Sequence, residues 1–239
     1  DYENHYIIIG WNEFGRQVAQ QIFNTGHKIA IIVNDKKDLD LAKDLFSEER
    51  CFVMFADYNN MDAFKKINIS KSKGVFVNFK EDTEKLVFVL NLKKSYPNAD
   101  IVVTCKNPSL KETFKNAGIQ YVISQTDVSS KLVASYIFEP QVASYTEDLI
   151  STSVQDSEFD IQQYKVVPGN PFIGKPYFDV FVALKKSYNT TLIGMVIDNA
   201  VVKNPDNAYL IKEGDYFVLI SDGISKRKLE EVFKTTQGA

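Results

Sequence analysis

The sequence is poor in the residues that carry reactive or cross-linking chemistry. Its 239 residues include two cysteines, Cys51 and Cys105, one tryptophan and two histidines, His5 and His27. Two cysteines make neither a disulfide framework nor a zinc pattern, and a reducing cytosol is the simplest setting for them. No apolar run approaches the ~18 residues a membrane span needs, and no signal peptide is recognisable. A basic excess is missing as well. The 28 Lys and Arg stand against 31 Asp and Glu, for a formal net charge of −3. The lysines are spread along the chain, so no nucleic-acid footprint is expected.

The same scarcity argues against an enzyme. A dehydrogenase needs a proton donor or acceptor near its cofactor. His5 opens the first apolar run and His27 sits in the turn before the second. No Tyr-x-x-x-Lys pair and no Gly-x-Ser-x-Gly occurs. Cys105 has no His to activate it and reads as a small buried hydrophobe. What is abundant is core material, with 17 Phe, 12 Tyr and 44% apolar residues. The length suits one domain of about 100–150 residues plus a smaller one.

Along the first part, short apolar runs alternate with helical patterns. Strands are expected at 5–9, 29–33, 51–55, 74–77, 101–104 and 121–123. Each is followed by a helical pattern. Phe14, Val18 and Ile22 mark the core face of the first, Leu41, Ala42 and Leu45 that of the second, and Met61, Phe64 and Ile67 a short third. Leu86, Val89 and Leu90 point inward on the fourth, and Gly118 ends the fifth as its C-terminal cap. Asp127 can cap a sixth helix carrying Leu132 and Tyr136. Six such units predict an α/β fold, a Rossmann-like doubly wound parallel sheet with helices on both faces.

Pro140 interrupts the next helical stretch, and Ser151–Glu158 reads as a polar linker. Strands at 159–167, 191–197, 200–203 and 216–220, with helices at 177–185 and 228–233, then predict a smaller C-terminal α+β domain. The expected division is 1–127, a helical segment and linker at 128–154, and 155–239.

The turn after the first strand reads Gly10-Trp11-Asn12-Glu13-Phe14-Gly15, with Arg16 adjacent. In a dinucleotide fingerprint the first glycine makes the turn, the middle one admits a pyrophosphate, and the last lets helix and strand pack. Gly10 and Gly15 meet the outer needs, while Asn12 takes up space at the middle one. The helix N-terminus still offers N–H groups to an anion, or the turn only packs helix on sheet. The ribose-binding acid expected after the second strand is Asp35, with Asn34 an equal candidate for the tip. Asp57-Tyr58, Asn78 and Lys106 stand at other strand ends and border the same crevice. Asp57 can bind ribose, hold a metal with a second carboxylate, or cap the next helix. Glu81, Asp82 and Glu84 form an acidic helix start that suits either a cation or the helix dipole.

The stretches His5-Tyr6-Ile7-Ile8-Ile9-Gly10-Trp11-Asn12-Glu13 and Ala117-Gly118-Ile119-Gln120-Tyr121-Val122-Ile123-Ser124 resemble the RCK family, also described as the TrkA-type regulatory fold. Gly174-Lys175, Ile193-Gly194, Asn204-Pro205 and Glu213-Gly214-Asp215 resemble its companion C-terminal domain. The resemblance implies a cytosolic module, at the cytoplasmic face of the cell membrane, that senses a ligand and gates a potassium channel. A regulatory subunit of a Trk- or Ktr-type transporter is the alternative. It implies pairing through a helix–turn–helix at about Lys131–Ile150, assembly of pairs into an octameric ring, and a pore domain upstream of Asp1 or on a separate membrane subunit. It implies NAD or an adenine nucleotide, or a cation such as Ca²⁺ at Asp57, as the ligand. Asn12 and Asn34 depart from the nucleotide-binding pattern, and Thr104 and Lys106 from the calcium pattern.

Overall fold

A computed structural model describes residues 2–150 and 157–238. The expected linker at Ser151–Glu158 lies outside them except for its last two residues. The chain divides into two compact units, Asp1–Phe138 and Glu139–Ala239.

The first unit holds a six-stranded sheet in the order β3-β2-β1-β4-β5-β6, with every pair parallel. The strands are β1 (His5–Ile9), β2 (Lys28–Val33), β3 (Cys51–Phe55), β4 (Gly74–Val77), β5 (Ile101–Cys105) and β6 (Tyr121–Ser124). A sheet covered on both faces needs strands that are apolar throughout, not alternating. β1 and β2 meet that need: Ile7, Ile8 and Ile9 and the run Ile29–Val33 are fully buried. Their side chains alternate between two cores. Ile7, Ile9, Ala30 and Ile32 join Val75, Val77, Val103 and Phe88 on one face, and Ile8, Ile29, Ile31 and Val33 join Ala19, Ala42, Phe46 and Phe76 on the other. The strand order reverses between β1 and β4, which opens a crevice at their carboxyl ends.

The crossovers are α1 (Glu13–Asn24), α2 (Lys36–Leu45), α3 (Asp82–Ser95) and α4 (Lys111–Asn116), and α5 (Gln125–Phe138) follows β6. Between β3 and β4 the short helix expected from Met61, Phe64 and Ile67 is a 3₁₀ helix, Met61–Ile67. Asn60 caps it, Asn68 stops it in the left-handed conformation, and a second 3₁₀ turn, Ile69–Lys71, follows. Phe64 and Ile67, three apart, bury on the same side.

Several expected core faces are rotated. On α1 Val18 and Ile22 pack against the core as expected, with Gly15 and Ala19 buried beside them, but Phe14 is 40% exposed. On α2 only Ala42 is buried, and Leu41 and Leu45 lie open. On α3 Val89 points inward as expected, but with Phe88 and Leu92, and Leu90 is exposed. The continuous run Leu86-Val87-Phe88-Val89-Leu90 has no period to choose a face by. Asp127 is not the cap of α5. The helix starts two residues earlier, and Ser124 Oγ accepts the Asp127 N–H.

The second unit comprises α6 (Pro140–Ile150), β7 (Phe159–Lys165), α7 (Tyr177–Tyr188), β8 (Thr191–Ile197), β9 (Ala200–Lys203), β10 (Tyr216–Asp222) and α8 (Gly223–Phe233). Pro140 is the first residue of α6, where a missing N–H costs nothing. The sheet runs β7-β10-β8-β9, all antiparallel. Its core gathers Tyr164, Val180, Leu184, Met195, Phe217, Leu219, Leu229 and Phe233.

Candidate ligand crevice

The crevice at the carboxyl ends of β1 to β4 has a volume of about 880 Å³. It is lined by the tips of β1 (Gly10, Trp11, Asn12), β2 (Asn34), β3 (Asp57, Tyr58, Asn59) and β4 (Asn78, Phe79, Lys80). Met61 and one face of α3, including Thr83, Glu84, Val87, Phe88 and Asn91, complete it.

Its narrow end is set by glycines. Gly10 has φ +96°, and a Cβ there would lie 2.5 Å from the Asn78 carbonyl oxygen. A Cβ on Gly15 would lie 2.7 Å from Asn78 Nδ2. The strand tip therefore meets the β4 end backbone to backbone, and the helix packs against Gly10 and the Asn78 side chain with no room for a Cβ. Asn12 sits between them. Its backbone is extended, with φ −158°, a conformation open to any residue. Its Oδ1 accepts the Gly15 N–H at 2.9 Å and the Asn78 Nδ2–H at 2.7 Å. Of the N–H groups that a helix start leaves without intrahelical partners, the one at Gly15 is thus already taken.

An aromatic cluster forms one wall. Tyr58 stacks on Phe79 at 4.6 Å between ring centroids, and Phe88 meets both rings edge-on. The Tyr58 hydroxyl donates to the Ile32 carbonyl, and burial, with Asp38 nearby, pushes its pKa well above the usual phenol range. It stays neutral. Asp57 does not cap the next helix. Its Oδ1 accepts the Asn59 N–H at 2.9 Å and the Asn59 side-chain amide at 3.2 Å.

Of the residues singled out from sequence, Gly10, Asn12, Asn34, Asp57, Tyr58 and Asn78 come together here. Glu13 and Arg16 pair with each other and line a neighbouring groove with Trp11, Asp38 and Leu41. Asp35 caps α2 by accepting the Lys37 N–H, so at the tip of β2 it is Asn34 that lines the crevice. Gly15 is buried at the helix–strand contact, and the Phe14 ring lies edge-on to Phe76. Lys106 is exposed, and its backbone N–H donates to Asp82. Of the α3 face only Glu84 was singled out in the sequence, and Thr83, Val87 and Asn91 were not.

The end of β5 carries a closed network. Asp82 accepts the Lys106 and Asn107 N–H groups and pairs with Lys85 Nζ at 2.9 Å. Lys85 is itself buried and donates to the Thr104 carbonyl. Burial opposes the Asp82 charge, but the Asn107 N–H and the Lys85 ammonium hold its carboxyl below the usual range. Asp82 is therefore committed to the chain's own cation, and only Glu84 of the acidic helix start lines the crevice. Among the described residues no three of His, Cys, Asp and Glu are grouped to hold a metal.

Two groups implied by the fold family can be tested against these contacts. A diphosphate does not fit at the start of α1, because Asn12 fills the place where a middle glycine would leave room. A hard cation, which needs several oxygen ligands, finds no group of three carboxylate, His or Cys ligands around Asp57 among the described residues.

Fold and crevice define a doubly wound, dinucleotide-type domain followed by a small antiparallel α+β unit. The TrkA-N domain matches residues 6–125, half of the chain, and the chain belongs to that family. It is 24% identical over 98% of its length to potassium channel protein 1 of Methanocaldococcus jannaschii, of which it covers 67%. It is 26% identical over 68% of its length to a Trk system potassium uptake protein TrkA homolog of Methanothermobacter thermautotrophicus, covering 73% of that protein. The human SLO3 gating ring superposes on 97% of the chain with a TM-score of 0.68 at 11% identity, and 46% of that chain is covered. The resemblance read from the sequence is borne out, and both units of the chain have counterparts. Among the described residues no helix is long and apolar enough to cross a membrane.

Proposed function

We propose that this chain is the ligand-sensing regulatory module of a potassium channel, acting at the cytoplasmic face of the membrane, and that it performs no catalysis of its own. The observation that carries this reading is α5. It follows the crevice-bearing sheet directly and buries none of its 14 residues. Val128, Val133, Ile137 and Phe138 stand between 57% and 83% exposed on it. An apolar surface of this kind marks a protein contact. A second copy of the chain pairing through it makes a dimer, and dimers closing into an octameric ring would couple several crevices to one pore. The relatedness to an archaeal potassium channel over both units supports the same assignment. The non-catalytic part rests on chemistry: His5 lies at the end of β1 away from the crevice, and Cys105 is buried, with its thiol pKa raised by burial.

The mechanism is a population shift. A ligand in the crevice favours one arrangement of paired modules only if it binds that arrangement better. Moving a two-state pore from mostly closed to mostly open takes about 5.5 kcal/mol of differential binding, a demand that a ring divides among its sites. The test is Asp57→Ala in the natural full-length protein, reconstituted in vesicles and assayed by rubidium flux while cell extract small molecules are titrated. The account expects the ligand response to weaken by about tenfold or more in midpoint, with folding intact, as loss of a charged hydrogen bond of about 1.5–3 kcal/mol implies. An unchanged response would contradict it. The TrkA homolog favours a second reading, a regulatory subunit of a Trk-type transporter. Pore helices in the natural gene would decide against that one.

A further inference from the structure

We propose that Asn12 closes the diphosphate seat of the crevice, and that the ligand taken there is a nucleoside carrying at most one phosphate. This rests on the reading of the crevice as a ligand site and names its ligand class.

The first argument is occupancy. A diphosphate bound at a helix start approaches the backbone through the space above the middle residue of the glycine turn. Here that space holds a carboxamide fixed at both ends, bonded to the Gly15 N–H at 2.9 Å and to Asn78 Nδ2 at 2.7 Å. Asn78 is buried, so the acceptor cannot swing aside without leaving a buried donor unpaired. Asn12 thus supplies internally the acceptor oxygen that a phosphate would bring.

The second argument is charge. Among the described lining residues Lys80 is one cation against the two carboxylates of Asp57 and Glu84. Arg16, the cation nearest the turn in sequence, pairs with Glu13 outside the crevice. A bridging diphosphate would enter a site that is already net negative.

The third argument is what the crevice does offer. Tyr58, Phe79 and Phe88 provide an aromatic wall for a planar ring. Asn34, Asn59 and Asn91 provide carboxamides, each with a donor and an acceptor side by side, which suits the edge of a purine base. Asp57 spends Oδ1 on Asn59, and its second oxygen suits a ribose hydroxyl.

The test is isothermal titration of the 239-residue chain with adenosine, AMP, ADP and NAD, in the native form and in two variants. Asn12→Gly removes the carboxamide at a capping position that tolerates glycine, and it frees Asn78 Nδ2 to meet a ligand oxygen instead. Asn12→Asp keeps the size and both acceptor contacts. The native chain is expected to bind adenosine or AMP at least about tenfold more tightly than ADP or NAD. Asn12→Gly is expected to tighten ADP and NAD by about tenfold with adenosine changed less than about threefold, the size of one lost hydrogen bond. Asn12→Asp is expected to show no such gain. Native preference for ADP or NAD, an Asn12→Gly variant without gain, or no binding of any of the four to the native chain would each overturn the proposal. The flux response of the Asp57→Ala channel is a separate readout, so the sensing role can survive that failure.

Discussion

The two sheets handle polar side chains in opposite ways. In the parallel sheet the strands are mostly apolar, and the polar residues that line the crevice collect beyond the carboxyl tips, at Asn12, Asn34, Asp57 and Asn78. In the antiparallel sheet the alternation of β7 sends Asp160, Gln162 and Tyr164 into the interior, all at most 3% exposed. There they satisfy one another. Gln162 Nε2 donates to Asp160 at 2.6 Å, and its Oε1 accepts from the Tyr164 and Ser221 hydroxyls at 2.7 and 2.8 Å. A buried network with its bonds made is a structural device. A row of carboxamides at an open strand end is what a ligand site requires. The contrast supports placing the proposed ligand site in the first unit.

The largest expected effect attacks the closed network. Gln162→Leu removes the acceptor of two buried hydroxyls and a donor to Asp160. Each orphaned group costs about 1–3 kcal/mol, so the antiparallel unit is expected to lose about 4 kcal/mol. Scanning calorimetry should show the fall, while Trp11, the single tryptophan, reports a smaller change in the parallel unit by fluorescence. Equal shifts in both signals would erase the distinction.

Next comes Gly10→Ala. The positive φ and the 2.5 Å approach to the Asn78 carbonyl act together, for an expected loss of about 3 kcal/mol. Gly214→Ala at φ +90° meets nothing within 4 Å, so only backbone strain of about 1 kcal/mol applies. Urea titration of both variants checks the ratio. Similar losses would mean that the close approach at the crevice is relaxed in solution.

A smaller effect is expected from pH. His5 is buried, its Nε2 lies 2.9 Å from the Ile67 carbonyl, and Nδ1 has no partner. Burial lowers its pKa below 6.5, with Lys28 adding to the shift. The unfolded chain therefore binds the proton first, so stability contributed by neutral His5 is full above about pH 6.5 and falls as pH drops toward the lower folded value. Asp82 adds a second loss further down. Its folded pKa lies below 3.8, so its contribution is present above that value and fades as pH falls through the folded one. Thermal midpoints between pH 8 and 3 should decline in these two stages, and His5→Phe should blunt the first. A midpoint flat from pH 7 to 5 would remove His5 from the account.

The sequence was legible where one physical demand dominates. Doubly buried strands leave little choice but continuous Ile and Val, so β1 and β2 could be read at once, and the half-exposed edge strands β3 and β6 were read from shorter apolar runs. Gly10 and Gly15 are glycine because a Cβ would collide, and their spacing showed it. Legibility failed where two demands overlap. Leu41 and Leu45 repeat at helical spacing yet lie open beside the groove at Arg16. On α3 an unbroken apolar run serves the core through Phe88 and Val89 and the crevice through Val87, and no period separates the two. Asp35 and Asp57 were both candidates for a ribose at their strand tips, but one is spent on a helix cap and the other holds Asn59. Local backbone geometry decides between such roles, and composition does not carry it.

The most direct test of the contrast is amide hydrogen exchange of the chain with and without AMP. The account predicts slowed exchange at residues 10–15, 57–61 and 78–84, with 159–165 and 216–222 unchanged. Protection confined to 159–165 and 216–222, or none at the three crevice segments, would contradict it.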